Sequence, residues 1–148
     1  FSKILVHKEN IFFENTENFQ KQSYRNRATI HSPNGKLDLT VPVIKGSKSH
    51  TKVQDVRISY DFQWQRMHLM SLQTSYRSSA YFEFYEDDFS LFYEKQWNFL
   101  FDYNEELTRL LLKSLKISSQ IKYTDSFEKN YLDLADYRNS IHPKHNSP

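Results

Sequence analysis

Cysteine is absent from this chain, and glycine occurs only twice among its 148 residues. Without cysteine there is no disulfide, no thiolate metal site and no cysteine nucleophile, a composition typical of the reducing cytoplasm. Two glycines are too few for a glycine-rich phosphate-binding loop. No apolar run is long enough to span a bilayer, so we expect a cytoplasmic protein without membrane insertion. The net charge of +2 is too small to indicate a nucleic-acid binder, and the composition disfavours that partner.

The length of 148 residues suits one domain with a sizeable core, so we predict a single domain over residues 1–148. The chain begins with Phe1 instead of Met and ends in a short polar segment. We therefore expect it to be a piece of a longer protein. Aromatic residues make up 16 % of the chain, which favours a core built from large rings.

Hydrophobic spacing predicts a mixed α/β fold, in which a mixed sheet with a β-hairpin insertion is covered by three or more helices. The predicted strands cover residues 11–13, 27–31, 37–43, 53–58 and 121–124. The predicted helices cover residues 1–8, 62–76 and 104–116, with one or two short helices in 81–101. Asn34 and Gly35 predict the hairpin turn because both tolerate positive φ. Asp61 is predicted to cap the second helix. If strands 11–13 and 121–123 lie in one sheet, the helices between them can cover its faces.

The densest polar segment, residues 20–27, combines three cations with carboxamide and hydroxyl side chains just before a predicted strand. Alternation along a strand would place Arg25 and Arg27 on one face, where two guanidiniums can bind a phosphate or a carboxylate. The alternative is that these cations are solvated or are paired with the nearby Glu14 and Glu17. We predict a substrate-binding surface at Lys21, Gln22, Arg25, Asn26 and Arg27.

His68 is the candidate catalytic residue, since it lies on a predicted helix one turn after Trp64. A general base needs a reactant hydroxyl within reach and a pKa near neutrality. The alternative is a structural histidine bonded to a carbonyl or a carboxylate, and we favour it because no nucleophile motif accompanies His68. Tyr76 and Arg77 are further substrate-binding candidates, because they are polar enough to line a cleft.

The six histidines do not show a metal-binding spacing, so we predict that there is no metal site. His142 and His145, in the polar tail, are the weak alternative ligand pair. Four carboxylates could supply an acid/base pair for glycosyl chemistry: Glu83, Glu86, Asp87 and Asp88. The alternative, which we favour, is that acidic residues between aromatic residues form the solvated side of a helix. The sequence does not point to any particular cofactor.

Several motifs follow one another over about four-fifths of the chain. In chain order they are residues 19–27, 33–35 with 39–43, 53–58, Trp64 with His68, Tyr76 with 80–82, and 104–115. This order resembles the WbqC-like protein family, and segments 24–27, 85–89 and 136–138 resemble its Bacteroidetes branch. Compared with that family, the chain lacks the usual strand-turn-helix start and a C-terminal segment.

The resemblance implies a role in O-antigen or other surface-polysaccharide biosynthesis, because members of the family lie in such gene clusters. The implied function is a transferase, or an accessory protein of one, that binds an anionic activated donor at residues 21–27. A nucleotide-sugar or another phosphorylated small molecule is the implied partner, with His68 or an acidic residue transferring protons. The alternative is a non-catalytic module that binds single-stranded nucleic acid or a protein partner through a basic strand with aromatic neighbours.

Overall fold

The computed structural model describes residues 2–7, 11–44, 50–129, 131, 135–138 and 141. The helices found there are α1 (Ser2–Val6), α2 (Trp64–Tyr76), α3 (Glu83–Glu94) and α4 (Leu100–Ser114). The strands are β1 (Ile11–Phe13), β2 (Arg27–Ser32), β3 (Gly35–Thr40) and β4 (Ile121–Tyr123). The predicted mixed α/β class is therefore confirmed. The two ends of the predicted 1–8 helix lie outside the described residues.

The four strands form two separate two-stranded sheets. β1 and β4 run parallel, with Ile11 opposite Ile121 and Phe13 opposite Tyr123, so these distant strands share a sheet. β2 and β3 form the antiparallel hairpin. Because β1 and β4 are parallel, the residues that follow them emerge at the same edge of the sheet.

The hairpin turn differs from the predicted Asn-Gly turn. Ser32 pairs with Gly35, so Pro33 and Asn34 are the two central residues. Gly35 has a φ of 104°, whereas Asn34 keeps a negative φ. The reason is that Pro33 fixes its own φ near −65°, which excludes a turn with positive φ at both central positions.

The predicted strand over residues 53–58 is wrong. Val53–Asp55 is a 3₁₀ turn, and only Arg57 and Ile58 make isolated bridges, to Phe99 and Val43 respectively. Val53 and Val56 are both buried because residues three apart lie on one side of a 3₁₀ turn. The spacing of apolar residues thus indicated which side chains are buried, but it did not indicate an extended strand.

Two helix starts also differ from the prediction. Asp61 does not cap α2, since the N-cap is Gln63 and the Asp61 carboxylate accepts a 2.6 Å hydrogen bond from the Ser59 hydroxyl. α4 begins at Leu100, four residues before the predicted start, so its first-turn acid is Asp102. Leu100 is completely buried, and its burial fixes the first turn against the core.

The core is a cluster of aromatic and aliphatic side chains from α2, α3, α4 and the segment between β3 and α2. Trp64, Leu100 and Tyr103 are its most deeply buried members, each 3 % exposed or less. Trp64 and Tyr103 meet edge to face, with ring centroids 5.6 Å apart. Such rings each bury a large apolar area, so they hold the three helices together.

Candidate functional site

Arg25 lies in the turn before β2, and its guanidinium is paired with Glu17 from the loop after β1. Nη2 and Nε of Arg25 lie 2.5 and 2.7 Å from one carboxylate oxygen, and the two side chains are only 15 % and 12 % exposed. The Arg25 carbonyl also accepts a 2.6 Å hydrogen bond from Nδ2 of Asn104 on α4. The charge of Arg25 is therefore compensated and its backbone is fixed.

Arg27 begins β2 and pairs across the hairpin with Asp38, with 3.2 Å between Nη1 and Oδ2. Asp38 also accepts a 2.6 Å bond from the Thr29 hydroxyl, and that bond is the main reason why the pKa of Asp38 is lowered. The expectation that strand alternation aligns Arg25 with Arg27 is wrong, because β2 begins only at Arg27. Each guanidinium serves a different carboxylate, so an incoming anion must compete with Glu17 and Asp38.

The rest of the predicted binding segment is a tight turn. Gln22 has a φ of 56°, and the Ser23 hydroxyl, which is 1 % exposed, donates 2.7 Å to the carbonyl three residues earlier. Nδ2 of Asn26 donates 3.1 Å to the Val41 carbonyl. Lys21 is exposed, and no carboxylate among the described residues pairs with it. Lys21 is thus the most accessible cation of this segment.

His68 lies in the core, 6 % exposed. Its ring meets Trp64 and Tyr93 edge to face, with centroids 5.1 and 6.0 Å apart, and it hydrogen-bonds to the backbone of Thr40. Burial lowers the pKa of His68 from 6.5 to about 4, although the Thr40 bond opposes this shift. The imidazole is therefore neutral near pH 7 and bonded as a structural histidine would be.

Tyr76 and Arg77 lie at the end of α2 and contact two different elements. The Tyr76 hydroxyl accepts a 3.2 Å hydrogen bond from the His31 backbone N–H on β2, and Arg77 pairs with Glu86 of α3 at 3.2 Å. Nε2 of Gln73 donates to the same Glu86 carboxylate at 2.8 Å. No hydrogen bond or ion pair within the described ranges joins Tyr76 or Arg77 to residues 21–27.

A second polar group lies at the shared carboxyl end of β1 and β4. Three of its members directly follow β1, one follows β4, and two come from the C-terminal segment. The N–H of Thr124 donates to the Phe13 carbonyl at 3.2 Å, which continues the parallel pairing beyond the strands. We call this group the strand-end cluster: Glu14, Asn15, Thr16, Thr124, Tyr131 and Arg138.

The carboxylate of Glu14 is the centre of the strand-end cluster, with only 5 % of its side chain exposed. Burial alone raises its pKa, but hydrogen bonds from the hydroxyl and the backbone N–H of Thr16 outweigh burial and lower the pKa. These bonds are 2.5 and 2.7 Å long, and the Tyr131 hydroxyl donates to the other oxygen at 3.3 Å. Glu14 is therefore ionised near neutral pH and acts as a hydrogen-bond acceptor.

Two oxygen atoms of the strand-end cluster are buried without a hydrogen-bond partner in the described part of the chain. They are Oδ1 of Asn15 and Oγ1 of Thr124. The Thr124 hydroxyl is close enough to Glu14 to help lower its pKa, but the geometry falls short of a hydrogen bond. The backbone of Asn15 is fixed, because its carbonyl accepts a 3.1 Å bond from the Gln54 N–H. Unpartnered buried oxygens are costly, so they suit a ligand that donates to them.

Arg138 joins the C-terminal segment to the cluster. Its guanidinium pairs with Asp136 at 2.6 Å and donates to the carbonyls of Glu128 and Lys129 at 2.8 and 3.3 Å. It also lies 4.9 Å from the Tyr131 ring centroid. Nη1 of Arg138 also lies 3.7 Å from Oε2 of Glu14. Most donors of the guanidinium are therefore used by the protein, and the unpartnered atoms of the cluster are the oxygens of Asn15 and Thr124. Such a site favours a ligand with hydroxyl or ammonium donors.

Neither a metal-binding cluster nor a membrane-spanning helix occurs among the described residues. No group of three or more His, Asp or Glu side chains in these ranges is arranged to hold a metal ion. His142 and His145 lie outside them. None of the helices found there is long and apolar enough to cross a bilayer.

The strand-end cluster was not predicted from the sequence, although a signal for it was present. Glu14, Asn15 and Thr16 directly follow a predicted strand, and Thr124 ends another. The sequence left open whether these strands share a sheet, and the carboxyl ends of strands in open α/β sheets are where ligands bind. The sequence did not show that the two strands run parallel, and this direction places both sets of polar residues at one edge of the sheet.

Comparison with known protein families adds the remaining information about the chain. The model of the WbqC-like protein family matches residues 1–140. Comparisons with curated proteins and with solved structures do not give a match. Because the matched residues cover nearly the whole chain, the protein belongs to the WbqC-like protein family.

Proposed function

We propose that the protein is a transferase, or an accessory protein of one, in the cytoplasmic steps of surface-polysaccharide biosynthesis. In this proposal it binds the sugar part of an activated donor at the strand-end cluster. Membership of the WbqC-like family supports the pathway. The observation that supports the site is the buried, unpartnered Oδ1 of Asn15, the residue that follows the ionised Glu14 in the chain. Sugar hydroxyls are the donors that these oxygens lack.

The anionic part of the donor lies towards residues 21–27 in this proposal. The loop after β1 connects the two regions, since Glu14 and Asn15 belong to the strand-end cluster and Glu17 binds Arg25. Lys21 is the exposed cation on that side, so it is the residue that meets a phosphate first. A nucleotide-sugar, or another phosphorylated sugar, carries both chemical groups.

The test is a thermal-shift and calorimetric titration of the 148-residue chain with nucleotide-sugars, free sugars and nucleotides. A ligand at a hundred times its dissociation constant stabilises the native state by about 2.7 kcal/mol. We expect Asn15→Ala to abolish the shift produced by nucleotide-sugars while leaving the unliganded melting temperature unchanged or raised, because the lost oxygen had no partner. Asn18→Ala, an exposed asparagine of the same loop, is the matched control.

A second variant separates the two halves of the ligand. Lys21→Ala should weaken binding of the nucleotide-sugar and leave binding of the free sugar unchanged. A nucleotide-sugar shift that survives Asn15→Ala contradicts the proposed site. The absence of a shift for every nucleotide-sugar, with a folded protein, contradicts the proposed function itself.

A further inference from the structure

The helix α3 has two apolar sides, and only one of them belongs to the core. Phe92 and Tyr93 face inward and are 8 % and 7 % exposed. Phe84 and Leu91 are 77 % and 67 % exposed, and their spacing of seven residues places them two turns apart on one line of the helix. Exposed large apolar side chains aligned in this way are typical of a surface that contacts a partner.

A line of carboxylates borders this exposed apolar line. Glu83, Asp87 and Glu94 are exposed and follow one another at intervals of four and seven residues, so they share a neighbouring line of α3. None of the three is paired with a cation in the described part of the chain. The helix does not itself contain Lys or Arg. We call the five residues Phe84, Leu91, Glu83, Asp87 and Glu94 the outer face of α3.

The other two carboxylates of α3 are already neutralised. Glu86 pairs with Arg77 at 3.2 Å, and Asp88 pairs with Lys113 at 3.7 Å. Lys95, the cation directly after the helix, lies over the Trp97 ring at 4.0 Å from its centroid. The unpaired negative charge of α3 is therefore concentrated on its outer face.

We propose that the outer face of α3 is a docking surface for a basic amphipathic helix of a partner protein. The apolar side of that helix covers Phe84 and Leu91, and its Lys or Arg residues pair with the three carboxylates. This binding mode is a helix laid along an apolar strip. A second copy of this chain fits less well, because a two-fold pairing through this face sets carboxylates against carboxylates. An anionic membrane surface is repelled for the same reason.

The experiment is fluorescence anisotropy of a labelled synthetic Lys/Leu amphipathic helical peptide, titrated with the 148-residue chain at low and at physiological salt. Phe84→Ser with Leu91→Ser should weaken binding roughly tenfold or more, because the two substitutions remove the apolar anchors. Met67→Ser with Met70→Ser, at side chains of α2 that are 60 % and 52 % exposed, is the control and should leave the affinity unchanged. All variants replace exposed side chains, so circular dichroism should show unchanged folding.

A charge variant tests the second half of the proposal. Glu83→Gln, Asp87→Asn and Glu94→Gln together should weaken binding at low salt and remove most of its salt dependence. The proposal is overturned if the peptide does not bind, or if the serine variants of α2 and of α3 weaken peptide binding equally. It is also overturned if sedimentation shows a dimer that Phe84→Ser with Leu91→Ser dissociates, since the occupant is then a second copy.

Discussion

The buried imidazole of His68 makes the stability of the fold depend on pH. Its ring is 6 % exposed, meets Trp64 and Tyr93 edge to face, and has a pKa lowered to about 4. In the unfolded chain the same group binds a proton near its ordinary pKa of 6.5. The unfolded state therefore takes up a proton at a higher pH than the folded state, and stability falls as the pH drops from about 6.5 towards 4.

The size of the effect follows from the two pKa values. The full difference between 6.5 and about 4 corresponds to about 3.5 kcal/mol, at about 1.4 kcal/mol for each pKa unit. By about pH 5 the protein should have lost about 2 kcal/mol of this contribution relative to about pH 7.5. At this chain length such a loss lowers the melting temperature by about 5 °C.

The assay is denaturant or thermal unfolding of the wild type and of His68→Gln across this pH interval. Glutamine does not titrate, and its amide can still donate to the Thr40 backbone. The two proteins share every other titrating group, including carboxylates whose lowered pKa values, such as that of Glu14, act at lower pH. We expect the gap between the two stability curves to change by about 2 kcal/mol between about pH 7.5 and about pH 5. Parallel curves would refute the assignment of a neutral, desolvated imidazole.

Two further predictions concern single backbone and hydrogen-bond features. Lys116 follows α4 with a φ of 54°, in the left-handed region that favours glycine. Lys116→Gly should therefore raise the free energy of unfolding by about 1 kcal/mol, whereas Lys116→Ala should not. A lower free energy of unfolding in the glycine variant would contradict the left-handed conformation. The Tyr60 hydroxyl donates to the Trp97 carbonyl at 3.0 Å and accepts from the Trp97 N–H at 2.7 Å. Tyr60→Phe should therefore cost about 2 kcal/mol in denaturant unfolding, and a cost no larger than that of the exposed Tyr81→Phe would contradict this role.

The helices and the separate strands β1 and β4 could be predicted because each has a local pattern. α2 carries apolar residues at helical spacing, Ile11–Phe13 is a short apolar run, and in Ile121–Tyr123 two apolar residues alternate with a lysine. A local sequence pattern does not predict the backbone conformation where tertiary contacts determine it. Val56 and Ile58 are spaced by two as in a strand, yet the segment that leads to them, Val53–Asp55, is a 3₁₀ turn. The start of α4 was misplaced because the complete burial of Leu100 outweighs the acidic pair at Glu105 and Glu106.

The candidate site shows that a dense polar segment does not reveal which of its charges are already paired within the fold. Arg25 and Arg27 stand out in the sequence, but Glu17 and Asp38 compensate their charges, and both carboxylates are separated from them in the chain. Asn15 looks ordinary in the sequence, yet its Oδ1 is buried without a partner in the described structure. An unmet hydrogen bond depends on every neighbouring atom, so no local pattern reports it. That is why the proposal for ligand binding rests on the loop after β1, with the basic segment as its neighbour through Glu17 and Arg25.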